Sequence, residues 1–179
     1  SLSRPQQSPE NRWLEWASTA WKYFDPGTGV DPNTGLHYAR SDWHRLTDWD
    51  LAAYIQAILA AEKIGILQRE GWWGSNNRIE NVLRFLEVRP VTDSNLAYQQ
   101  YYAETGRVPE DMKNSVVPPT NWGRLLLALE DLGHARPDLK KRINSIVARY
   151  NSKIHSQSTY FVSSDVYAFY AAQGYWSFG

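Results

Sequence analysis

The stretch TDWDLAAYIQAILAAEKIGIL, residues 47–67, decides the fold. Thr47 is a favoured N-cap residue, and Asp50 three positions later completes a capping-box pattern with aspartate in place of the usual glutamate. The run that follows is apolar nearly all round, which is typical of a helix buried on most of its sides. The stretch therefore predicts a buried helix that begins at about Thr47 and ends near Ile64 and Gly65.

Two further stretches share this design. Thr120-Asn121-Trp122 precedes an apolar run from Leu125 to Leu132, and Ser164-Asp165-Val166-Tyr167 leads into a run that ends at Ala172. In each, a hydroxyl residue suited to N-capping is followed by an acid or amide and then by a bulky ring. We predict buried helices over about 121–132, ended by Gly133, and over about 164–173.

Three other segments, at about 9–24, 76–87 and 137–150, show a single apolar stripe instead. In the first, the stripe runs from Trp13 to Phe24, and in a docking module it would pack on a partner or on a second copy. One apolar stripe is typical of a helix with a solvated back. The chain thus alternates outer and inner helices, which predicts three helical hairpins. The short segment 160–162 is the only strand candidate.

The predicted fold class is all-α, with about three helical hairpins arranged like an incomplete six-hairpin α/α toroid. A closed ring of helices of about ten to fourteen residues needs roughly twice this chain length. An incomplete ring leaves an apolar edge, which a second copy or a partner domain would cover. We expect residues 1–8 to form a flexible N-terminus and residues 9–179 a single domain.

Composition excludes several classes of function. The 19 basic residues balance the 19 acidic ones, and no basic stripe indicates nucleic acid binding. No apolar run reaches the roughly 18–20 residues of a membrane span. The chain has no cysteine, its four histidines show no metal-ligand spacing, and no phosphate-binding or nucleophile-elbow motif is present. We therefore predict no metal and no cofactor.

Aromatic content is the compositional outlier, with nine Trp and 11 Tyr residues. Each of these rings is first of all a good core residue, but Trp and Tyr also stack on sugar rings and offer a polar group at one end. The candidate glycan-binding residues lie at the helix starts, in the turn at 71–74 and in the long connection at 91–119. They are Trp49, Trp72, Trp73, Tyr102 and Trp122.

The candidate catalytic residues are acids near the same places. In a ring of hairpins the N-terminal ends of the inner helices converge on one mouth, where Asp50 and Asp165 would lie. Glycoside hydrolysis requires two carboxyl groups on opposite sides of the scissile bond, and Glu104 in the long connection is a third candidate. For Asp50, capping alone is the simpler alternative.

An ordered set of short motifs resembles a known family. The set comprises Trp21-Lys22-Tyr23-Phe24, Thr34-Gly35-Leu36, Thr47-Asp48-Trp49-Asp50, Ala53-Tyr54, Ala60 to Ile66, Tyr101 to Gly106, Trp122 to Leu126, and Tyr170-Ala171-Ala172 with Gly174-Tyr175. It resembles a domain family of unknown function in exported bacterial and archaeal proteins. That family is similar to helical-toroid glycosidases, including glucanase and transglycosylase domains that act on β-1,2-glucans. The resemblance implies a toroid, export to the periplasm or cell surface, and a glycan ligand.

One departure from the family pattern leaves two functions open. The resemblance implies a glutamate just before the Tyr-Ala-Ala element, where this chain has Ala168. The first hypothesis is a toroid domain that binds a glycan in an aromatic, acid-lined mouth, with or without hydrolase or transglycosylase activity. The alternative is a non-catalytic docking module of an exported polysaccharide-assembly system.

Overall fold

The computed structural model describes residues 9–151 and 166–178, and this part of the chain contains six α-helices and two short strands. The helices are α1 (Pro9–Trp21), α2 (Asp48–Lys63), α3 (Ser75–Val88), α4 (Pro119–Ala135), α5 (Lys140–Ala148) and α6 (Val166–Ser177). The strands are β1 (Arg45–Leu46) and β2 (Tyr101–Tyr102). Residues 1–8, the strand candidate at 160–162 and Asp165 lie outside the described residues.

The capping box predicted at the start of α2 is confirmed. The Thr47 hydroxyl accepts a hydrogen bond from the Asp50 backbone N–H at 3.3 Å, and the Asp50 carboxylate accepts one from the Thr47 backbone N–H at 3.3 Å. The two bonds satisfy N–H groups that a helix start leaves without an intrahelical partner. The capping box thereby stabilises the start of α2.

Three helices form an inner layer in which α4 packs between α2 and α6. The contact with α6 is unusually close, because a Cβ atom built on Gly123 would lie 2.7 Å from the Ala171 Cα atom. The outer helices α3 and α5 are joined by Arg142, whose guanidinium binds Glu87 at 2.7 Å and Glu80 at 2.5 Å. The predicted alternation of outer and inner helices agrees with this packing.

A buried ion pair anchors the first turn of α2 to the residue that follows α3. Asp48 and Arg89 have no exposed side-chain surface, and the Arg89 guanidinium binds both Asp48 carboxylate oxygens. The Arg89 Nε atom also donates to the Tyr150 hydroxyl at 2.8 Å. Burial lowers the pKa of Arg89, but the attraction of Asp48 together with that of Tyr150 and Tyr101 raises it well above its usual value. Each charge of the pair is thus matched inside the core.

The start and end of α4 differ from the prediction. The helix begins at Pro119, after Pro118 at the N-cap position, so Thr120 lies inside the first turn and does not cap. Proline suits a first helical position because its fixed φ is already helical. The helix also continues through Gly133 to Ala135, since a glycine inside a helix weakens it without ending it.

The burial of α1 and of α6 also differs from the sequence prediction. In α1, Trp13, Leu14 and Trp16 are exposed, and Trp21 is the ring of that helix packed against the core. In α6 the buried residues are small, while Phe169 and Trp176 face outward. Periodicity correctly identified one apolar face in α1, but it carries no information on whether a neighbouring element covers that face.

The two strands, which the sequence did not indicate, bring distant loops together. They pair antiparallel, with Arg45 opposite Tyr102 and Leu46 opposite Tyr101. A two-residue strand is too short to show a period of two. Because β1 leads directly into α2, this pairing holds the segment 101–104 beside the N-terminal end of α2. Among the described residues, no helix is both long enough and apolar enough to cross a bilayer.

Candidate functional site

An aromatic cleft lies between the first turn of α2, the second turn of α4 and the start of α6. The Arg124 guanidinium carbon is 3.8 Å from the ring centroid of Trp49. The Trp49 and Tyr167 rings meet edge to face, with centroids 5.3 Å apart and planes at 71°. With Gln56 and Leu127, these three side chains line a cleft of about 370 Å³. A cleft of this size accommodates a sugar-sized ligand.

Arg124 supplies the positive charge of this cleft. Burial lowers the pKa of Arg124, while the negative charge of Asp50 opposes that shift. Within the part of the chain that the structure describes, no acceptor lies within hydrogen-bond distance of its guanidinium. The Arg124 guanidinium lies over the Trp49 ring, and its N–H groups are left available for a ligand.

Asp50 lies on the same turn of α2 as Trp49 and is half-buried. Its Oδ2 atom accepts hydrogen bonds from the Thr47 hydroxyl at 2.7 Å and from the Thr47 backbone. Burial is the largest cause of the raised pKa of Tyr23, and the negative charge of Asp50 is the second largest. Asp50 therefore caps the helix and also adds its charge to the cleft. It acts only as an acceptor in these contacts, which suits a base or a positioning group better than a proton donor.

Glu104 is bound to a histidine. The distance between its Oε1 atom and His44 Nδ1 is 2.7 Å, and His44 Nε2 lies 3.3 Å from the Ser41 carbonyl oxygen. The hydrogen bond with Glu104 is the largest cause of the raised pKa of His44. Because both ring nitrogens face oxygen acceptors, the imidazolium form satisfies both contacts. Glu104 is thus hydrogen-bonded to His44, and the two form an ion pair whenever His44 is protonated.

The His44–Glu104 pair rests on Tyr38. The His44 ring stacks on the Tyr38 ring with centroids 4.0 Å apart. Burial, and then the charge of Asp31, raise the pKa of Tyr38 to about 12. The Tyr38 carbonyl in turn accepts a hydrogen bond from the Tyr23 hydroxyl at 2.7 Å. These contacts connect the surroundings of Glu104 to those of Asp50 at one end of the molecule.

Four of the predicted site residues lie at this end, two lie at the opposite end of α2, and Trp122 is buried in the core. Trp49, Asp50, Tyr102 and Glu104 are all placed near the N-terminal end of α2. Trp72 and Trp73 precede α3 and follow the C-terminal end of α2, which is about 24 Å away for a helix of 16 residues. Trp122 is only 1% exposed and packs on Tyr150 with ring centroids 4.6 Å apart. A ring so deep in the core is not placed to stack on a ligand, and Asp165 lies outside the described residues.

Three residues of this region were missed by sequence reasoning: Arg124, Tyr167 and His44. A signal for Arg124 was present, because an arginine interrupts the otherwise apolar run from Trp122 to Leu129. A charged residue in a buried helix generally has a partner or a function. Tyr167 and His44 carried no comparable signal, since only the fold brings them to the mouth.

The cleft continues as a groove between α2 and α4. A second depression of about 520 Å³ shares Gln56 with the first and ends at Arg136. The Gln56 amide nitrogen donates to Asp131 at 3.0 Å, which fixes the side chain at the point where the two depressions meet. The described part of the chain contains no group of three His, Asp or Glu side chains placed to hold a metal ion.

The fold is that of the helical-toroid class. The structure is similar to an endo-β-1,2-glucanase from Chitinophaga pinensis in complex with sophorotriose and glucose, with a TM-score of 0.59 and 18% sequence identity. The similarity covers 80% of this chain and 35% of the glucanase chain, so this chain spans about a third of that enzyme. At this identity the likeness establishes the fold, and the predicted all-α toroid-like architecture is confirmed.

The family can be named as well. Residues 15–169 match the DUF3131 family, which is described as a protein of unknown function, and the chain belongs to that family. The resemblance inferred from the sequence motifs, including the relation to helical-toroid glycosidases, is confirmed by these two matches. A comparison with curated proteins gives no significant match.

Proposed function

We propose that this domain binds a glycan in the cleft formed by Trp49, Arg124 and Tyr167. The observation that carries the proposal is the edge-to-face pair of Trp49 and Tyr167 beside a cationic group, in a cleft of about 370 Å³. Export from the cytoplasm is part of the proposal and rests on the family resemblance alone.

The chemistry of the cleft suits a sugar. Indole and phenol rings offer apolar faces and edges to the C–H groups of a pyranose, and the polar groups around them offer hydrogen bonds to its hydroxyls. The Gln56 amide nitrogen is held by Asp131, so its amide oxygen is left to accept a hydroxyl hydrogen. The groove along α2 and α4 gives a chain of sugars a continuous path.

Binding is favoured over cleavage. Hydrolysis of a glycosidic bond requires two carboxyl groups with separate roles. Asp50 is the acid whose charge reaches Arg124, whereas Glu104 is paired with His44. Ala168 stands where the family resemblance implies an acid. Of the candidate catalytic acids that the structure describes, Asp50 is therefore the one beside the cleft.

Titration with a panel of oligosaccharides that includes β-1,2-glucans tests the proposal. Tryptophan fluorescence and calorimetry are expected to show saturable binding of at least one glycan class, and Trp49→Ala is expected to weaken it by at least about tenfold, the order of one stacking contact. Trp72→Ala is the matched control, since Trp72 is 75% exposed at the opposite end of α2. Loss of binding in Trp72→Ala with full binding in Trp49→Ala would move the site to the turn at 71–74.

A second candidate function, a docking module, is supported by the outward-facing rings of α1. Trp13 and Trp16 form an edge-to-face pair with centroids 5.0 Å apart, and Trp13 is 67% exposed. Exposed aromatic pairs are common at the centres of protein interfaces. Sedimentation velocity over a range of concentrations tests self-association, and a monomer at every concentration with no glycan binding would leave docking to a different protein.

A further inference from the structure

Arg124 differs from the other arginines that are withdrawn from solvent. Each of the others in the described residues donates hydrogen bonds to an acid, a hydroxyl, an amide or a backbone carbonyl. They are Arg45, Arg78, Arg89, Arg136, Arg142 and Arg149. Arg124 alone of this set has a ring contact and no hydrogen-bond acceptor in the described part of the chain. A partly buried guanidinium without a protein acceptor can gain hydrogen bonds from a ligand.

We propose that the cleft selects a glycan that carries a carboxylate, such as an oligosaccharide of uronic acids, and that Arg124 binds this carboxylate. The inference rests on the proposed glycan-binding function and specifies its ligand. The Trp49 ring contacts the guanidinium at 3.8 Å and restricts its position, and a carboxylate can accept two parallel N–H bonds from a guanidinium. The sugar ring that carries the carboxylate then lies against the aromatic walls.

The nearby charge of Asp50 indicates that the ligand group bound by Arg124 carries a single negative charge. Asp50 is close enough to act on Arg124, without a hydrogen bond between them among the contacts of the described residues. A doubly charged phosphate would be repelled by Asp50 more strongly than a singly charged carboxylate. A neutral sugar would leave the guanidinium with hydroxyl acceptors only, which form weaker bonds than a carboxylate does.

The first experiment uses the unaltered protein and two ligands that differ in one group. An oligouronate and the same oligosaccharide after reduction of its carboxyl groups to primary alcohols are compared by calorimetry at low and high salt. We expect the oligouronate to bind at least tenfold more tightly and to lose most of that advantage at high salt, since partly exposed charges are screened. Equal affinities for the two ligands would overturn the proposal and leave glycan binding intact.

The variants Arg124→Gln and Arg124→Lys test whether Arg124 causes the preference for the acidic ligand. The glutamine variant is expected to bind the acidic and the reduced ligand equally, and the lysine variant to keep a small part of the preference, because an ammonium cannot form the paired bonds. A preference for the acidic ligand that survives in Arg124→Gln would overturn the assignment to Arg124. A sulfated oligosaccharide that outcompetes the oligouronate would overturn the choice of a carboxylate. Absence of binding by every oligosaccharide would reject the proposed function itself.

Discussion

The carbonyl oxygen of Gly123 in α4 lies directly against the Cα atom of Gly174 in α6, at a point where neither helix carries a side chain. Gly123 also faces Ala171, so small residues on both helices allow backbone contact along the crossing. Close approach through small residues brings α6 near enough for Tyr167 to meet Trp49. The geometry of the cleft therefore depends on two glycines that lie outside it.

Replacement of either glycine is expected to destabilise the protein. In Gly174→Ala the new methyl group would collide with the Gly123 backbone, and Gly123→Ala would place it 2.8 Å from the Ala171 Cβ atom. Overpacking of this kind costs about 1–3 kcal/mol. Gly133→Ala, also in α4, is the control, because its methyl group would meet Ile143 at an ordinary 3.7 Å. The control is expected to gain about 0.5–1 kcal/mol in urea unfolding from the better helix propensity of alanine. Equal effects at Gly133 and Gly174 would contradict the close crossing.

The buried pair of Asp48 and Arg89 makes a second prediction. Asp48→Asn removes the negative charge and leaves the Arg89 guanidinium buried without its counter-ion, at an expected cost of about 3–5 kcal/mol in unfolding free energy. Asp42→Asn is the matched control, since the Arg40–Asp42 pair is exposed and its loss is expected to cost less than about 1 kcal/mol. A loss of stability as small in Asp48→Asn as in the control would show that Arg89 finds another partner.

His37 predicts a particular dependence of stability on pH. Its ring is buried against Tyr54, and neither nitrogen has a hydrogen-bond partner in the described part of the chain. Burial lowers the pKa of His37 from 6.5 to about 3. Below pH 6.5 the unfolded chain binds a proton at His37 that the folded chain does not. His37 therefore leaves the free energy of unfolding unchanged above pH 6.5 and lowers it as the pH falls towards 3. The loss amounts to at most about 5 kcal/mol.

The variant His37→Phe isolates this contribution. It keeps a flat ring beside Tyr54 and removes the titrating group, so its unfolding free energy is expected to fall less between pH 6.5 and 4 than that of the unaltered protein. The carboxylates contribute equally to both proteins, and the difference between the two curves reports His37. Parallel curves over this range would show that His37 is protonated in the folded state.

Asp50 carries out two tasks that substitutions can separate. Thr47→Ala removes the side-chain cap and is expected to cost about 1 kcal/mol without affecting glycan affinity. Asp50→Asn keeps an oxygen acceptor for the Thr47 hydroxyl but removes the charge that faces Arg124. It is expected to change glycan affinity and its pH dependence while costing no more stability than Thr47→Ala. If both variants bind glycan normally, Asp50 serves only as a cap.

Local signals in the sequence predicted what depends on local contacts. Thr47 and Asp50 are three residues apart, and the capping box they form was correctly predicted, as was the alternation of helix types. Trp122 shows the limit of such reasoning, because its motif repeats that of Trp49. Because α4 begins at Pro119, Trp122 is the fourth residue of its helix, whereas Trp49 is the second residue of α2. Two residues correspond to roughly 200° of rotation about a helix axis, so Trp122 faces the core.

Only part of the cleft could be predicted from the sequence. Trp49 and Asp50 follow a recognisable helix start, so their place at the mouth could be inferred. The meeting of Arg124 and Tyr167 with Trp49 depends on how closely α4 and α6 cross, and that distance is set by Gly123 and Gly174 on other faces of the same helices. No periodicity within one helix encodes a contact between two.

The Asp48–Arg89 pair also bears on how the chain folds. An intermediate that buried Asp48 in the α2 core before Arg89 arrived would hold an isolated charge in an apolar environment, which is a costly state. The same holds for Arg89 buried alone. Intermediates with one charge in place are therefore sparsely populated, and α2 and the end of α3 are expected to dock in one concerted step. The pair contributes to the cooperativity of folding, whatever its net contribution to stability.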